Sequence, residues 1–277
     1  MYGAMIGDYV GSVYEWHNIK TKDFPLFARG CKLTDDSFMT IAVAQACLNW
    51  SEHYDFDAFT EDVKFEMTRI GLSYPNKGYG GSFRKWLYSK DGKPYGSYGN
   101  GSAMRVSPCA WIAESLEHAE QLGEASALPT HNHPEGIKGA RAVAAVTYLA
   151  RMHGDKEMIR GFAHTYYDMS FCLDDIREDY KFDVTCMGTV PPAIMAFLES
   201  NSFEDAIRNA ISIGGDSDTI AAITGGIAEA YYGVPSEYRH KIYRVARTSC
   251  TQEEQRIISR FTALVDSTRV IDQYTRG

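Results

Sequence analysis

A chain of 277 residues with 36 acidic against 28 basic side chains, net charge −8, argues against a duplex nucleic-acid binder, which normally shows a basic face, although a local basic pocket for a phosphorylated small molecule stays open. Hydrophobic residues at 44% and charged residues at 23% fit an ordinary globular protein, long enough to bury a core without disulfide or metal staples. No apolar run approaches the roughly 20 residues that span a bilayer. Met1 to Asp8 lacks the basic region and long apolar stretch of a signal peptide, so the expected compartment is the cytoplasm. The six cysteines form no C-x-x-C pair and read as small hydrophobes in a reducing environment.

From Ser37 the run FMTIAVAQACLNW is apolar on most faces, which predicts a buried central helix. Asp57 to Ile70 follows, with Phe59, Val63, Met67 and Ile70 at helical spacing. Between Ser73 and Gly101 the chain carries seven glycines, Pro75, Pro94 and several tyrosines. That stretch reads as long, ordered, functional loops around one short helix, Ser82 to Tyr88. A helix is expected from Ser102 to Ala113, bent or restarted at Pro108. Pro134 opens GIKGARAVAAVTYLARM, where proline in the first turn costs no hydrogen bond. Further helices are expected over Pro192 to Leu198, Phe203 to Ile213, Thr219 to Tyr232 and Glu253 to Val265. Alternating patterns at Arg269-Val270-Ile271 and around Asp183-Val184 are too short to found a sheet. The fold expected is a single all-α domain over residues 1–277, a compact multi-helix orthogonal bundle.

Two acidic clusters precede the most apolar helices. Thr34-Asp35-Asp36-Ser37 can cap a helix and complement its dipole, but capping uses one carboxylate and leaves the other to be solvated or paired. Ile213-Gly214-Gly215-Asp216-Ser217-Asp218-Thr219 repeats the arrangement, its glycines allowing a tight turn. Brought together, the clusters offer four carboxylates and two hydroxyls, a charge density that an apolar interior tolerates only with cations. All-oxygen ligation selects Mg²⁺, Mn²⁺ or Ca²⁺, and neither segment has the EF-hand pattern. On spacing alone, helix caps and a binuclear metal centre in a cleft at helix N-termini stand level. His131 and His133 have zinc-ligand spacing without a third nitrogen or sulfur ligand nearby, and they can equally be capping or core histidines.

Across nearly its whole length the sequence resembles the ADP-ribosylglycohydrolase family. The resemblance runs in order through Gly3-Ala4-Met5-Ile6-Gly7-Asp8 with Glu15, Thr34-Asp35-Asp36-Ser37, and Gly99-Asn100-Gly101-Ser102-Ala103-Met104-Arg105. It continues through Thr130-His131-Asn132-His133-Pro134, Gly188-Thr189-Val190-Pro191 and Gly214-Gly215-Asp216-Ser217-Asp218-Thr219. It implies two divalent cations, Mg²⁺ or Mn²⁺, held by Thr34, Asp35 and Asp36 on one side and by Asp216, Asp218 and Thr219 on the other. Glu15 is the implied general acid/base, with Asp36 as a second candidate. Asn100, Gly101 and Ser102 resemble the family's substrate loop, and His131 and His133 would lie at the cleft.

The reaction implied is hydrolysis at the anomeric carbon of the distal ribose of ADP-ribose, through an oxocarbenium-like state. The substrate is an ADP-ribose-bearing protein or small molecule, first of all ADP-ribosyl-arginine. Rival readings are an O-linked substrate (ADP-ribosyl-serine or O-acetyl-ADP-ribose), a non-catalytic crystallin-like relative, and a plain phosphoesterase. The motifs address the ADP-ribose half, so the acceptor would be chosen by Tyr14 to Gly30 and Ser73 to Gly99. No membrane association is expected, and a monomer is the default.

Overall fold

The computed structural model describes residues 1–50, 55–152 and 154–275. Its helices, in chain order, are α1 (Tyr2–Gly11), α2 (Asp35–Asn49), α3 (Phe56–Ser73), α4 (Gly81–Leu87), α5 (Gly101–Met104), α6 (Cys109–Ile112), α7 (Leu116–Ala127) and α8 (Pro134–Arg151). They continue with α9 (Lys156–His164), α10 (Leu173–Ile176), α11 (Cys186–Leu198), α12 (Phe203–Ser212), α13 (Ser217–Tyr232), α14 (Ser236–Ser249) and α15 (Gln252–Thr275). Among the described residues there is no strand, only an isolated bridge between Gly99 and Thr185, and the fold is all-α. No described helix is long and apolar enough to cross a membrane.

Local chemistry sets the helix starts. The side chains of Thr34, Asp55, Ser115, His133, Thr185 and Ser202 each accept a backbone N–H from the first turn that follows, satisfying donors that the helix cannot pair internally. Pro108 restarts the helix expected from Ser102: α5 ends at Met104 and α6 begins after the proline. The C-terminal helix runs past Val265 to Thr275, carrying Arg269-Val270-Ile271 in helical form. The segment at Asp183-Val184 supplies the isolated bridge instead of a strand: Asn100 N–H donates to the Val184 carbonyl at 2.7 Å and Cys186 N–H to the Tyr98 carbonyl at 2.9 Å. The glycine-rich loop is thereby tied to the start of α11.

Helix α13 is the axis of the molecule, buried from Ser217 to Ala230 and packed by α1, α8, α11 and α12. Its pairing with α1 is unusually close. A Cβ on Gly7 would lie 1.9 Å from the Ala221 carbonyl oxygen, and one on Gly11 would lie 2.5 Å from Asp218 Cα. Both are far inside van der Waals contact, so only glycine lets the two backbones meet. The sequence pattern did not predict α1 as a helix: it is buried on nearly every face, shows no apolar stripe, and carries three glycines that lower intrinsic helix propensity. Tertiary packing overrides that local preference.

Candidate functional site

The close approach of α1 to α13 sets Asp8 beside the first turn of α13. Asp8 is fully buried and reaches across to the start of α2. Its Oδ1 accepts from the Thr34 hydroxyl at 2.6 Å, and its Oδ2 accepts from the backbone N–H groups of Thr34 at 2.9 Å and Ser37 at 3.1 Å, and from the Ser37 hydroxyl. Thr34 also caps α2, accepting from Asp36 N–H at 3.4 Å. The two acidic clusters therefore meet, joined by a third element. Sequence reasoning quoted Asp8 within a motif and gave it no role. An aspartate inside an otherwise apolar, glycine-spaced helix was the available signal.

Carboxylate oxygens of Asp8, Asp36 and Asp218 lie within 4.8 Å of one another, and so do those of Glu15, Asp216 and Asp218. Two acidic trios thus share Asp218. Burial is the largest cause of a raised pKa for each of these groups, and neighbouring negative charge comes next for several. Asp8 is pushed up to about 6, against the hydrogen bonds from Ser37 and Thr34. Glu15 rises to about 7 with Asp216 adding to burial, and Asp35 to about 8 with Asp8 adding. Asp36 and Asp218 rise well above the carboxylate range, and Asp216 is raised less freely because the Asn100 amide opposes the shift.

The donor set fits a hard cation. Among the described residues Asp36 Oδ1 is buried without a hydrogen-bond partner, a vacant acceptor that costs free energy unless something positive meets it. The Thr219 hydroxyl lies 3.4 Å from Asp36 Oδ2 and the Thr34 hydroxyl 3.3 Å from the same oxygen. Every donor is oxygen, which matches divalent cations of the magnesium and calcium type.

Apart from Asp8, which is not among the lining residues, the carboxylates of the trios form the floor of a cleft of about 430 Å³, within the range of small-molecule sites. Glu15, Asp35, Asp36, Asp216, Asp218 and Thr219 line it, as do Asn100, Gly101 and His131. The Asn100 amide is engaged with the floor, donating to Asp216 Oδ2 at 2.7 Å and to the Thr189 hydroxyl at 3.1 Å. Ser102 is fully buried behind the loop and donates to the Gly136 carbonyl at 2.7 Å. His133 caps α8, accepting from Glu135 N–H at 3.1 Å. Neither Ser102 nor His133 is among the lining residues. At the mouth, Trp16 (72% exposed) stacks on Phe182 (42% exposed), with ring centroids 5.1 Å apart and planes 23° from parallel. Neither aromatic was singled out from the sequence.

A family model for ADP-ribosylglycohydrolase matches residues 1–269. The chain belongs to the ADP-ribosylglycohydrolase family. It is 27% identical to mouse ADP-ribosylhydrolase ARH3, over 84% of this chain and 82% of that protein. It is 24% identical to the ADP-ribosyl-[dinitrogen reductase] glycohydrolase of Rhodospirillum rubrum, over 87% of each. A solved structure described as an ADP-ribosylglycohydrolase-related protein complex shares the fold, with a TM-score of 0.65 at 21% identity, covering 96% of this chain and 97% of that one. The activity class is that of an ADP-ribosylhydrolase, a glycoside hydrolase. The acidic cluster is one that could hold a metal ion.

Proposed function

We propose that residues 1–277 act as one metal-dependent ADP-ribosylglycohydrolase domain that removes ADP-ribose from modified arginine of a protein. The observation that carries the metal-dependent chemistry is the pair of carboxylate trios sharing Asp218. We assign Thr34, Asp35 and Asp36, facing Asp216, Asp218 and Thr219, as the residues that would hold two divalent cations, Mg²⁺ or Mn²⁺. Asp8 holds Thr34 and Ser37 in place behind them. Bound there, the cations would supply Lewis acidity that binds ribose hydroxyls and acidifies water.

The remaining steps belong to the chain itself. Glu15, lifted to about 7, is available in both protonation states near neutral pH, as a general acid/base needs to be. It donates a proton to the leaving guanidine nitrogen as the bond to the anomeric carbon breaks. Water adds to that carbon, and its proton returns to the carboxylate floor, with Asp36 the second candidate to receive it. Asn100 orients Asp216 through the 2.7 Å hydrogen bond, and the glycine-rich loop and His131 face the ADP-ribose.

The arginine acceptor is supported by the rim. Trp16 and Phe182 present exposed aromatic faces beside the Glu15 carboxylate, and a guanidinium stacks on aromatic rings while pairing with carboxylates. Six free cysteines suit the reducing cytoplasmic compartment we assign. Incubation with ADP-ribosyl-arginine and ADP-ribosyl-serine peptides, with Mg²⁺ or with EDTA, tests the reading. Free ADP-ribose is expected from the arginine peptide in Mg²⁺ alone. Release from the serine peptide only would transfer the assignment to O-linked substrates, and release undiminished by EDTA would remove the metals from it.

A further inference from the structure

Beneath the glycine-rich loop lies a buried cation that no carboxylate neutralises among the described residues. Arg105 is 1% exposed. Its guanidinium donates to the Gly101 carbonyl at 2.9 Å, to the Ser126 carbonyl at 3.0 Å and to the Thr130 hydroxyl at 3.0 Å. Burying a guanidinium on neutral acceptors is costly, so the arrangement calls for an explanation beyond packing.

The explanation lies one hydrogen bond further on. The Thr130 hydroxyl, fully buried, also lies 2.7 Å from His131 Nδ1. A hydroxyl has one proton to give. Thr130 accepts from Arg105, and among the described residues no other acceptor meets its oxygen, so its proton points at Nδ1. That nitrogen is then the bare one, and the ring carries its hydrogen on Nε2. Burial, with Arg105 adding its charge, pushes the His131 pKa well below its ordinary value, which keeps the ring neutral. The Nε2 edge faces the loop: a Cβ on Gly101 would sit 3.4 Å from Nε2 and one on Gly99 3.7 Å away. Arg105 and His131 both line the cleft, so one buried cation and a neutral imidazole stand beside the acidic floor.

We propose that Thr130, itself oriented by Arg105, is a positioning residue that fixes His131 as the Nε2–H tautomer, giving the cleft a neutral N–H donor for an oxygen of a phosphate-bearing ligand. The tautomer stands on the geometry alone; the identification of that ligand with the pyrophosphate of ADP-ribose rests on the function proposed above.

Long-range ¹H–¹⁵N NMR of cation-free protein labelled with ¹⁵N-histidine reads the tautomer directly, with His131→Gln identifying the signals. The wild-type ring is expected to show a bare Nδ1 and a protonated Nε2. Thr130→Val, which keeps the branched shape without the hydroxyl, is expected to mix the tautomers, and Thr130→Ser to restore the wild-type pattern. In Mg²⁺, ADP-ribose is expected to bind Thr130→Val about tenfold more weakly, the order of one hydrogen bond to a charged group, and Thr130→Ser near normally. A wild-type ring protonated on Nδ1, or a Thr130→Val ring with an unchanged pattern, overturns the proposal. The expected NMR pattern together with no ADP-ribose binding by any form would uphold the tautomer lock and sink the substrate reading instead.

Discussion

The floor and the rim of the cleft are built on opposite principles. On the floor, Asp36, Asp216 and Asp218 are buried, with Asp8 buried behind them; three helix regions supply these groups, and Thr34, Ser37 and Asn100 cross-brace them. At the rim, Trp16, Phe182 and Val184 are exposed and stand on loops. A buried carboxylate can be held only by a fold that over-determines it, whereas an exposed ring on a loop can change without disturbing the core. On the function proposed, the chemistry would belong to the floor and the choice of acceptor to the rim.

The sharpest way to break this division is Asp218→Asn. One atom changes in the residue common to both trios, and turnover is expected to fall at least about a thousandfold, or about 4 kcal/mol of transition-state stabilisation, while far-UV circular dichroism stays helical. Near-normal hydrolysis would falsify the assignment of Asp218. Next is Gly7→Val, which drives a side chain into the Ala221 backbone. It should cost about 3 kcal/mol in urea unfolding and lower cation affinity through displaced Asp8.

A third test uses pH. In the folded chain Asp8, Glu15 and Asp35 titrate near 6, 7 and 8, above the roughly 4 of unfolded carboxylates. Between those values the folded chain binds more protons than the unfolded one, so these groups favour folding at low pH, and that stability is lost as pH rises through the folded pKa values. The melting temperature of cation-free protein should therefore fall between pH 5 and pH 8, and Mg²⁺ should restore it most at pH 8. A flat profile, or equal restoration at both pH values, would argue against a coupled acidic floor. The smallest effect is expected at the rim. Trp16→Ala should raise KM for an ADP-ribosyl-arginine peptide about fivefold, the order of one cation–π contact, with kcat and melting temperature unchanged. A matching loss of kcat would move Trp16 into the chemistry.

Legibility in the sequence followed the same line. Asp35, Asp36, Asp216 and Asp218 could be found because acidic pairs abut long apolar runs, and burial makes such pairs demand a partner. The helices with strong apolar content, α2, α8 and α13, were readable for the same reason. Asp8 was not, because its position depends on glycines whose purpose appears only when α1 meets α13. Ser102 and His133 share motifs with residues that line the cleft, yet a step of one residue from Gly101, or of two from His131, takes the side chain out of its lining. Trp16 and Phe182 are far apart in sequence, and nothing local signals that their rings stack.

The floor also has a consequence for how the molecule matures. The residues proposed to hold cations lie at 34–36 and 216–219, with Asp8 bracing the first group, so no short contiguous fragment would contain the site, and the unfolded chain would have no comparable affinity for a cation. Metal binding would therefore stabilise the completed fold alone, by an amount that grows with free cation concentration over the dissociation constant. On the function proposed, loading would be the last event of folding, a checkpoint that a chain with α1 undocked would not pass.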